Sequence, residues 1–220
     1  MKKLKSINPL MEFVTAEGYR KYLLSSIKSL KSGQNVLDIG GGRGESFKAG
    51  KANYYTLDIA KHNNKRFIQG DITSSDLKID IKFDVIVTKD TFEHILNPWD
   101  ATQNILNLLV EGGLFFCSAP FNWRFHPSPY DTYRYTHQGL KYLFERNGSL
   151  QEVSSGYIHQ YDQTKGRWKN RLDHWPASNN THRDCISSYY VGRKDSSKVF
   201  DISEIYGDFS LEHDEFIKEE

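Results

Sequence analysis

The chain has 220 residues, 38% of them hydrophobic, which is enough to bury one sizeable core and points to one globular domain rather than two. Its 29 Lys and Arg offset 28 Asp and Glu to a formal net charge of +1, so no broad field recruits nucleic acid or a membrane surface. The opening Met1-Lys2-Lys3-Leu4-Lys5 is basic but lacks the apolar run of a signal peptide, and no later stretch approaches a membrane span; the expectation is a soluble, cytoplasmic protein.

Apolar residues at Phe13, Tyr19, Tyr22, Leu23, Ile27 and Leu30 make a helical stripe over Glu12 to Leu30 that stops before Ser32-Gly33. Residues 1–33 are therefore expected to form a helical segment packed on the domain that follows. Short apolar runs of the buried parallel type come next: Asn35 to Ile39, Tyr54 to Leu57, Arg66 to Ile68, Val85 to Thr88 and Leu114 to Ser118. Gly44 to Asn53 leaves room for only a brief helix. Trp99 to Val110 is the clearest helix, with Ile105, Leu106, Leu108 and Leu109 toward the sheet and Pro98 in the first turn. Thr136 caps a later helix that carries Leu140, Leu143 and Phe144. Leu150 to Tyr157 and Ile186 to Gly192 should close the sheet. Between them, residues 158–184 are polar and without periodicity, the mark of a functional or disordered insertion. The main domain is expected over 34–194, followed by an acidic tail over 195–220 with scattered aromatics. Cys117 and Cys185 stand far apart in no metal or disulfide spacing and read as buried or incidental thiols.

One segment carries most of the chemistry. The apolar run Val36-Leu37-Asp38-Ile39 enters Gly40-Gly41-Gly42-Arg43-Gly44-Glu45, and Asp58 ends the next strand twenty residues after Asp38. Glycines in such a turn let a ligand lie on bare main chain, and an acid at that distance suits a ribose diol. A dinucleotide loop of the form G-x-G-x-x-G would need a third glycine at 45, where a glutamate stands. That carboxylate would repel a pyrophosphate at the helix N-terminus. Asp38 and Glu45 instead suit a ligand bearing a positive amino or sulfonium group, and S-adenosylmethionine carries both.

The pattern Asp38-x-Gly40-x-Gly42-x-Gly44 closely resembles the first motif of class I S-adenosylmethionine-dependent methyltransferases, of the kind acting on small molecules and glycans. Further segments are similar to that family in the same order. Gly70-Asp71-Ile72 looks like its adenine-binding acid, Phe83 to Asp90 like its fourth strand and Thr91 to Trp99 like its L-E-H-V-x-D-P run. Leu109 to Phe116 looks like its L-x-P-G-G-x-L-x segment, with Glu111 where proline is usual. The resemblance covers about residues 34–120 and implies an α/β, Rossmann-like, doubly wound, mostly parallel seven-stranded sheet with one antiparallel strand near the C-terminus. It further implies that Asp38, Gly40, Gly42 and the Lys89 backbone face the methionine portion of the cofactor. Asp58, with Ile59 beside it, would receive the ribose diol, while Asp71 and Ile72 would hold and sandwich adenine.

The aromatic, proline-stiffened segment Pro120 to Thr136 follows the fifth strand and resembles the H-x-x-P-x-D-x-x-R-x-T segment of methyltransferases acting on sugars and glycan precursors. Trp123, Tyr130, Arg134 and Tyr135 are its candidate substrate contacts. Two readings of Arg134 stand open: its planar fork holds a substrate carboxylate or phosphate, or it pairs with Asp131 and braces the loop together with Tyr133 and Tyr135. Methyl transfer depends mainly on alignment, and a hydroxyl acceptor also benefits from a base. His94 and His126 are the candidate catalytic imidazoles; His137, His159 and His174 have no motif support. Asp90-x-x-Glu93-His94 resembles the E-x-x-E-H metal motif of ubiquinone-pathway O-methyltransferases and small-RNA 2′-O-methyltransferases. A divalent metal at Asp90, Glu93 and His94 is possible on that ground but not favoured, so no metal is assigned. The expected activity is methyl transfer to a small-molecule acceptor, a hydroxyl of a metabolite, sugar or surface-glycan precursor, with no nucleic-acid or membrane partner. The rival readings are a non-catalytic methyltransferase-like binding or regulatory subunit and an NAD-dependent oxidoreductase.

Overall fold

The structure is a computed structural model that describes residues 13–42, 50–63, 65–159, 161–162, 167–168 and 185–201. Its sheet is built from short runs in which successive side chains go to opposite faces and both faces are buried. In β2 (Asn35–Ile39) Val36 goes to one core and Leu37 and Ile39 to the other; in β5 (Phe83–Lys89) Val85 and Val87 oppose Ile86. The same alternation runs through β6 (Leu109–Pro120), where Leu114 and Phe116 face away from Phe115 and Cys117, and through β10 (Cys185–Lys194), where Tyr189 and Val191 oppose Tyr190. Burial pushes the free Cys117 thiol far above its ordinary range.

With β1 (Phe13–Thr15), β3 (Asn53–Asp58), β4 (Phe67–Gln69) and β7 (Leu150–His159), these strands run in the order β1-β7-β10-β6-β5-β2-β3-β4. Every pairing is parallel except those of β10, which is antiparallel to both β6 and β7. From β4 to β7 this is the expected seven-stranded sheet with one late antiparallel strand; β1 adds an eighth strand at the edge. The predicted first helix starts later for that reason. The run Phe13-Val14-Thr15 pairs with Tyr157 to His159, and α1 spans Ala16–Lys28. β8 (Tyr161–Asp162) and β9 (Arg167–Trp168) form a small separate hairpin inside the polar insertion, most of which lies outside the described residues. The expected brief helix after Gly44 and nearly all of the tail lie outside them too.

Helices cover both faces. Tyr19, Leu23 and Ile27 of α1 pack on Val36, Val85 and Phe116, while α2 (Pro98–Leu108) and α3 (His137–Glu145) bury Ile105, Leu106, Leu140 and Phe144 on the other side. α2 begins as its sequence requires, with Pro98 in the first turn and Asn97 accepting from the Asp100 amide. It stops at Leu108, earlier than its apolar stripe suggests, because Leu109 already pairs with Phe83. Lys194 Nζ then donates to the carbonyls of Leu106 at 2.7 Å and Leu109 at 3.0 Å where the helix ends. α3 has the expected cap, Thr136 Oγ1 accepting from Gly139 N at 3.0 Å.

Glu145 gives a pH signature. Burial pushes its carboxyl above the ordinary range, although the Tyr190 hydroxyl donates to Oε1 at 2.7 Å. A carboxyl with a raised folded pKa confers its full stability below the unfolded value of about 4.3 and loses it as pH rises through the folded value. Glu145→Gln, which keeps an acceptor for Tyr190, should therefore melt above the parent at pH 7, with the gap closing by about pH 4. Calorimetric melting across that range checks the sign; a gap of equal size at both ends would remove the titration from the argument.

Candidate active site

The parallel strands β2, β3, β4, β5 and β6 all end at one edge of the sheet. From β2 the chain proceeds through β3 and β4 on one side and returns to place β5 on the other, so strand order reverses between β2 and β5. A crevice outside the carboxyl ends of strands at such a switch point is where α/β sheets hold ligands.

Gly40 leaves β2 in the left-handed region at φ +74, and its amide donates to Leu57 O at 2.8 Å. A Cβ on Gly40 would lie 2.5 Å from Thr91 Oγ1, so the loop passes close against the turn after β5. Thr91 ties that contact by donating to Ile39 O and Lys89 O. Gly42, at φ +60, is in the left-handed region that favours glycine and has no atom within 4 Å of its Cβ direction. Gly44 and Glu45 lie outside the described residues.

Asp38 is only 2% exposed; its carboxylate accepts from the Tyr54 hydroxyl and is tucked beneath Gly41. Asp58 ends β3 with Oδ1 accepting from Ala60 N at 2.9 Å and Oδ2 3.6 Å from His62 Nε2. Ile59 next to it is 60% exposed at the rim. Asp71 is exposed, with Oδ1 held by the Thr73 amide and hydroxyl, both at 2.8 Å. Ile72, expected against adenine, points its side chain into the core, while its carbonyl accepts from Asn104 Nδ2 at 2.7 Å. Lys89 is exposed beside Asp90, with Nζ 3.7 Å from Oδ2. Tyr54, His62, Thr91 and Asn104 position this edge and were not singled out in the sequence; the i,i+4 spacing of Asp58 and His62 was the one signal that pointed to any of them.

The turn after β5 and the loop after β6 are sewn together. Glu93 O accepts from Thr132 N at 2.8 Å, Phe92 O from the Tyr135 hydroxyl at 3.2 Å and Leu96 O from the Tyr133 hydroxyl at 3.2 Å. Arg134 takes the bracing reading: it binds both oxygens of Asp131, at 2.5 and 2.8 Å, and also donates to the carbonyls of Trp123, Arg124 and Tyr133. Those hydrogen bonds hold the Asp131 carboxyl well below the usual carboxylate range. Tyr135 is core rather than wall, 8% exposed, because its ring packs on Phe92. Trp123 is half-buried, whereas Tyr130 stands out from the loop.

This stitching brings His126 to His94. Their rings meet edge to face with centroids 5.0 Å apart, and each Nε2 faces Glu93 Oε1, at 3.6 Å from His94 and 3.7 Å from His126. His94 Nδ1 contacts Tyr130 O; His126 Nδ1 contacts Arg124 O at 3.0 Å and Asp131 Oδ2 at 3.2 Å. Oxygens of these kinds only accept, so each Nδ1 carries a proton. Burial raises the Glu93 and Asp90 carboxyls above the ordinary carboxylate range. His137 packs separately, edge-on to Tyr157.

A profile described as a methyltransferase domain matches residues 14–194. The chain belongs to the methyltransferase-domain family. No curated protein sequence is significantly similar to it. Among solved structures, a Haloferax volcanii chain in complex with the Trm112 methyltransferase activator is 18% identical at a TM-score of 0.56, covering 80% of this methyltransferase and 88% of that chain. An S-adenosylmethionine-dependent methyltransferase from Archaeoglobus fulgidus is 14% identical at 0.55, covering 80% and 90%. The N-methyltransferase NodS from Bradyrhizobium japonicum, in complex with S-adenosylhomocysteine, is 14% identical at 0.51, covering 81% and 86%. These likenesses carry the fold, that of S-adenosylmethionine-dependent methyltransferases. No described helix of this methyltransferase is long and apolar enough to cross a membrane.

The edge of the sheet fits that cofactor. Gly42 takes a left-handed conformation with open space along its Cβ direction, and the carboxylates of Asp38 and Asp58 stand on adjacent strands, an acceptor set suited to a cationic amino acid portion and a ribose.

Proposed function

We propose that this methyltransferase transfers a methyl group from S-adenosylmethionine to a hydroxyl of a small-molecule acceptor: a metabolite, a sugar or a surface-glycan precursor. The observation that supports a hydroxyl acceptor is the pair of imidazoles at the carboxyl edge of the sheet, each with Nδ1 on a backbone carbonyl, which leaves Nε2 as the nitrogen to exchange a proton with an acceptor. An amine need only arrive deprotonated, whereas a hydroxyl gains from a base that takes its proton in the transition state.

In this reading the Asp58 carboxylate accepts the two ribose hydroxyls and Asp71, through Oδ2, the adenine amino group. Ile72 flanks the adenine site through its backbone, since its side chain is committed to the core. Asp38 stabilises the amino acid portion chiefly from beneath the loop, with Gly40, Gly42 and the Lys89 backbone against it. When bound, S-adenosylmethionine supplies a methyl group already activated by positive sulfur. The protein's remaining task is alignment and proton removal. Tyr130, Trp123 and the exposed face of the loop wall the acceptor, Arg134 and Tyr135 keep that wall rigid, and Nε2 of His94 or His126 takes the hydroxyl proton. The protein is expected to act in the cytoplasm on its own substrate rather than as a regulatory subunit.

The test has two arms. Thermal melting with S-adenosylhomocysteine should raise the transition, and NAD should not. Incubation with S-adenosylmethionine and a panel of hydroxylated metabolites, sugars and nucleotide-sugars should then release S-adenosylhomocysteine with at least one hydroxyl acceptor. Release with amines alone would overturn the hydroxyl reading, and stabilisation by NAD would overturn the cofactor.

A further inference from the structure

We propose that Glu93, His94 and His126 form a binding site for one first-row divalent cation, with coordination positions left open toward the acceptor. The binding claim stands by itself; the ion's part in catalysis rests on the hydroxyl reading above.

Three facts converge. One ligand atom from each of the three residues lies within 4.8 Å of the others. The separations of 3.6 and 3.7 Å between Glu93 Oε1 and the two Nε2 atoms are too long for hydrogen bonds. They fall close to the spacing of neighbouring ligands around one ion with bonds of about 2.0–2.2 Å. Second, the Glu93 side chain is 0% exposed, and neither of its oxygens has a hydrogen-bond partner among the described residues. A buried carboxylate without a hydrogen-bond partner is costly, and a cation held between it and the two Nε2 atoms would satisfy it. Third, both rings are already oriented as metal-ligating histidines are. Each Nδ1 donates to an oxygen behind it, Tyr130 O for His94 and Arg124 O with Asp131 Oδ2 for His126, which fixes the tautomer and turns Nε2 forward.

The scaffold is rigid where the ligands are mounted. Glu93 and His94 share a single 3-10 turn, Phe92–His94, closed by His94 N donating to Thr91 O at 3.0 Å, and the His126 amide donates to Asp131 Oδ2 at 2.6 Å. Asp90, the acid three residues before Glu93, is not one of the three; its carboxylate is half-exposed beside Lys89. The ligand set therefore differs from the one the sequence spacing suggested, His126 replacing Asp90. Two imidazoles and one carboxylate favour zinc, iron or cobalt over magnesium or calcium, which prefer all-oxygen surroundings. An ion there would take up both Nε2 lone pairs and, in place of an imidazole base, would polarise an acceptor hydroxyl so that its proton is lost to solvent.

The experiment uses untagged full-length protein stripped with a chelator and titrated with Co²⁺ and Zn²⁺. One equivalent of Co²⁺ should give visible d–d absorption, and Zn²⁺ should bind with one-to-one stoichiometry by calorimetry and raise the melting temperature. Glu93→Gln and His126→Ala should each weaken binding by roughly 100-fold or more. Glu93→Gln removes an uncompensated buried charge and is expected to fold; His126→Ala lies on the loop and gives a second, independent readout. Absence of stoichiometric binding, or equal binding by both variants, overturns the site. Equal rates of hydroxyl methylation by stripped and reloaded enzyme would overturn the ion's part in catalysis, while leaving the hydroxyl reading intact. One-to-one binding lost in the variants supports the site even if no hydroxyl acceptor is methylated, an outcome that would sink only the hydroxyl reading.

Discussion

Replacing Phe144 by alanine is expected to cost about 3–5 kcal/mol, the range for truncating a fully buried aromatic ring. Its ring has no exposed surface and sits at the centre of a cluster, with centroids 4.8 Å from Phe115, 5.1 Å from Phe92 and 5.2 Å from Tyr190. Those neighbours belong to β6, to the turn that carries Glu93 and His94, and to β10, so one side chain from α3 joins three parts of the fold. At about 2–4 °C per kcal/mol for a chain of this size, the melting temperature should fall by roughly 6–20 °C. Phe144→Leu should recover part of the loss by refilling the space. Calorimetric melting of both variants checks the assignment, and a drop below about 3 °C for alanine would mean that the cluster does not hold these elements together.

Asp58→Ala is expected to weaken binding of S-adenosylhomocysteine by about 1.5–3 kcal/mol, the scale of lost charge-assisted hydrogen bonds. That is roughly a 10- to 150-fold rise in Kd. The carboxylate is partly buried at the end of β3, one oxygen on the Ala60 amide and the other near His62, so its orientation is set before any ligand arrives. His62→Ala separates the two contributions. If His62 only orients the carboxylate, its loss should cost a small fraction of what Asp58→Ala costs. Titration calorimetry reads both, and an unchanged affinity for Asp58→Ala would remove it from the cofactor site.

The strands were readable because each is a short apolar run whose two faces enter two cores, a pattern that exists in the residues themselves. Val36 and Leu37, or Phe115 and Phe116, declare a doubly covered sheet before any pairing is known. Strand β1 was hidden because three residues of an edge strand have no periodicity apart from the helix they precede; the parallel partner, β7, lies more than a hundred residues later. The same limit applied at the site. Asp38, the glycines and Asp58 were legible as a local motif. Arg134 had two open readings, and the structure places both of its terminal nitrogens on Asp131, while Tyr135 lies in the core.

What the sequence by itself determined is the family's signature: a strand, a glycine turn, an acid on the next strand, and the order of the segments that follow. Local chemistry sufficed there, because backbone freedom, capping and alternation act over a few residues. Only the tertiary structure decided which groups face one another across the crevice. His126 reaches Glu93 and His94 because Tyr133 and Tyr135 pin the loop after β6 to the turn after β5. Ile72, conversely, is drawn into the core by packing that no neighbouring residue announces. Contacts between residues distant in the chain are set by the balance of burial over the whole fold, and that balance is not written in any one segment.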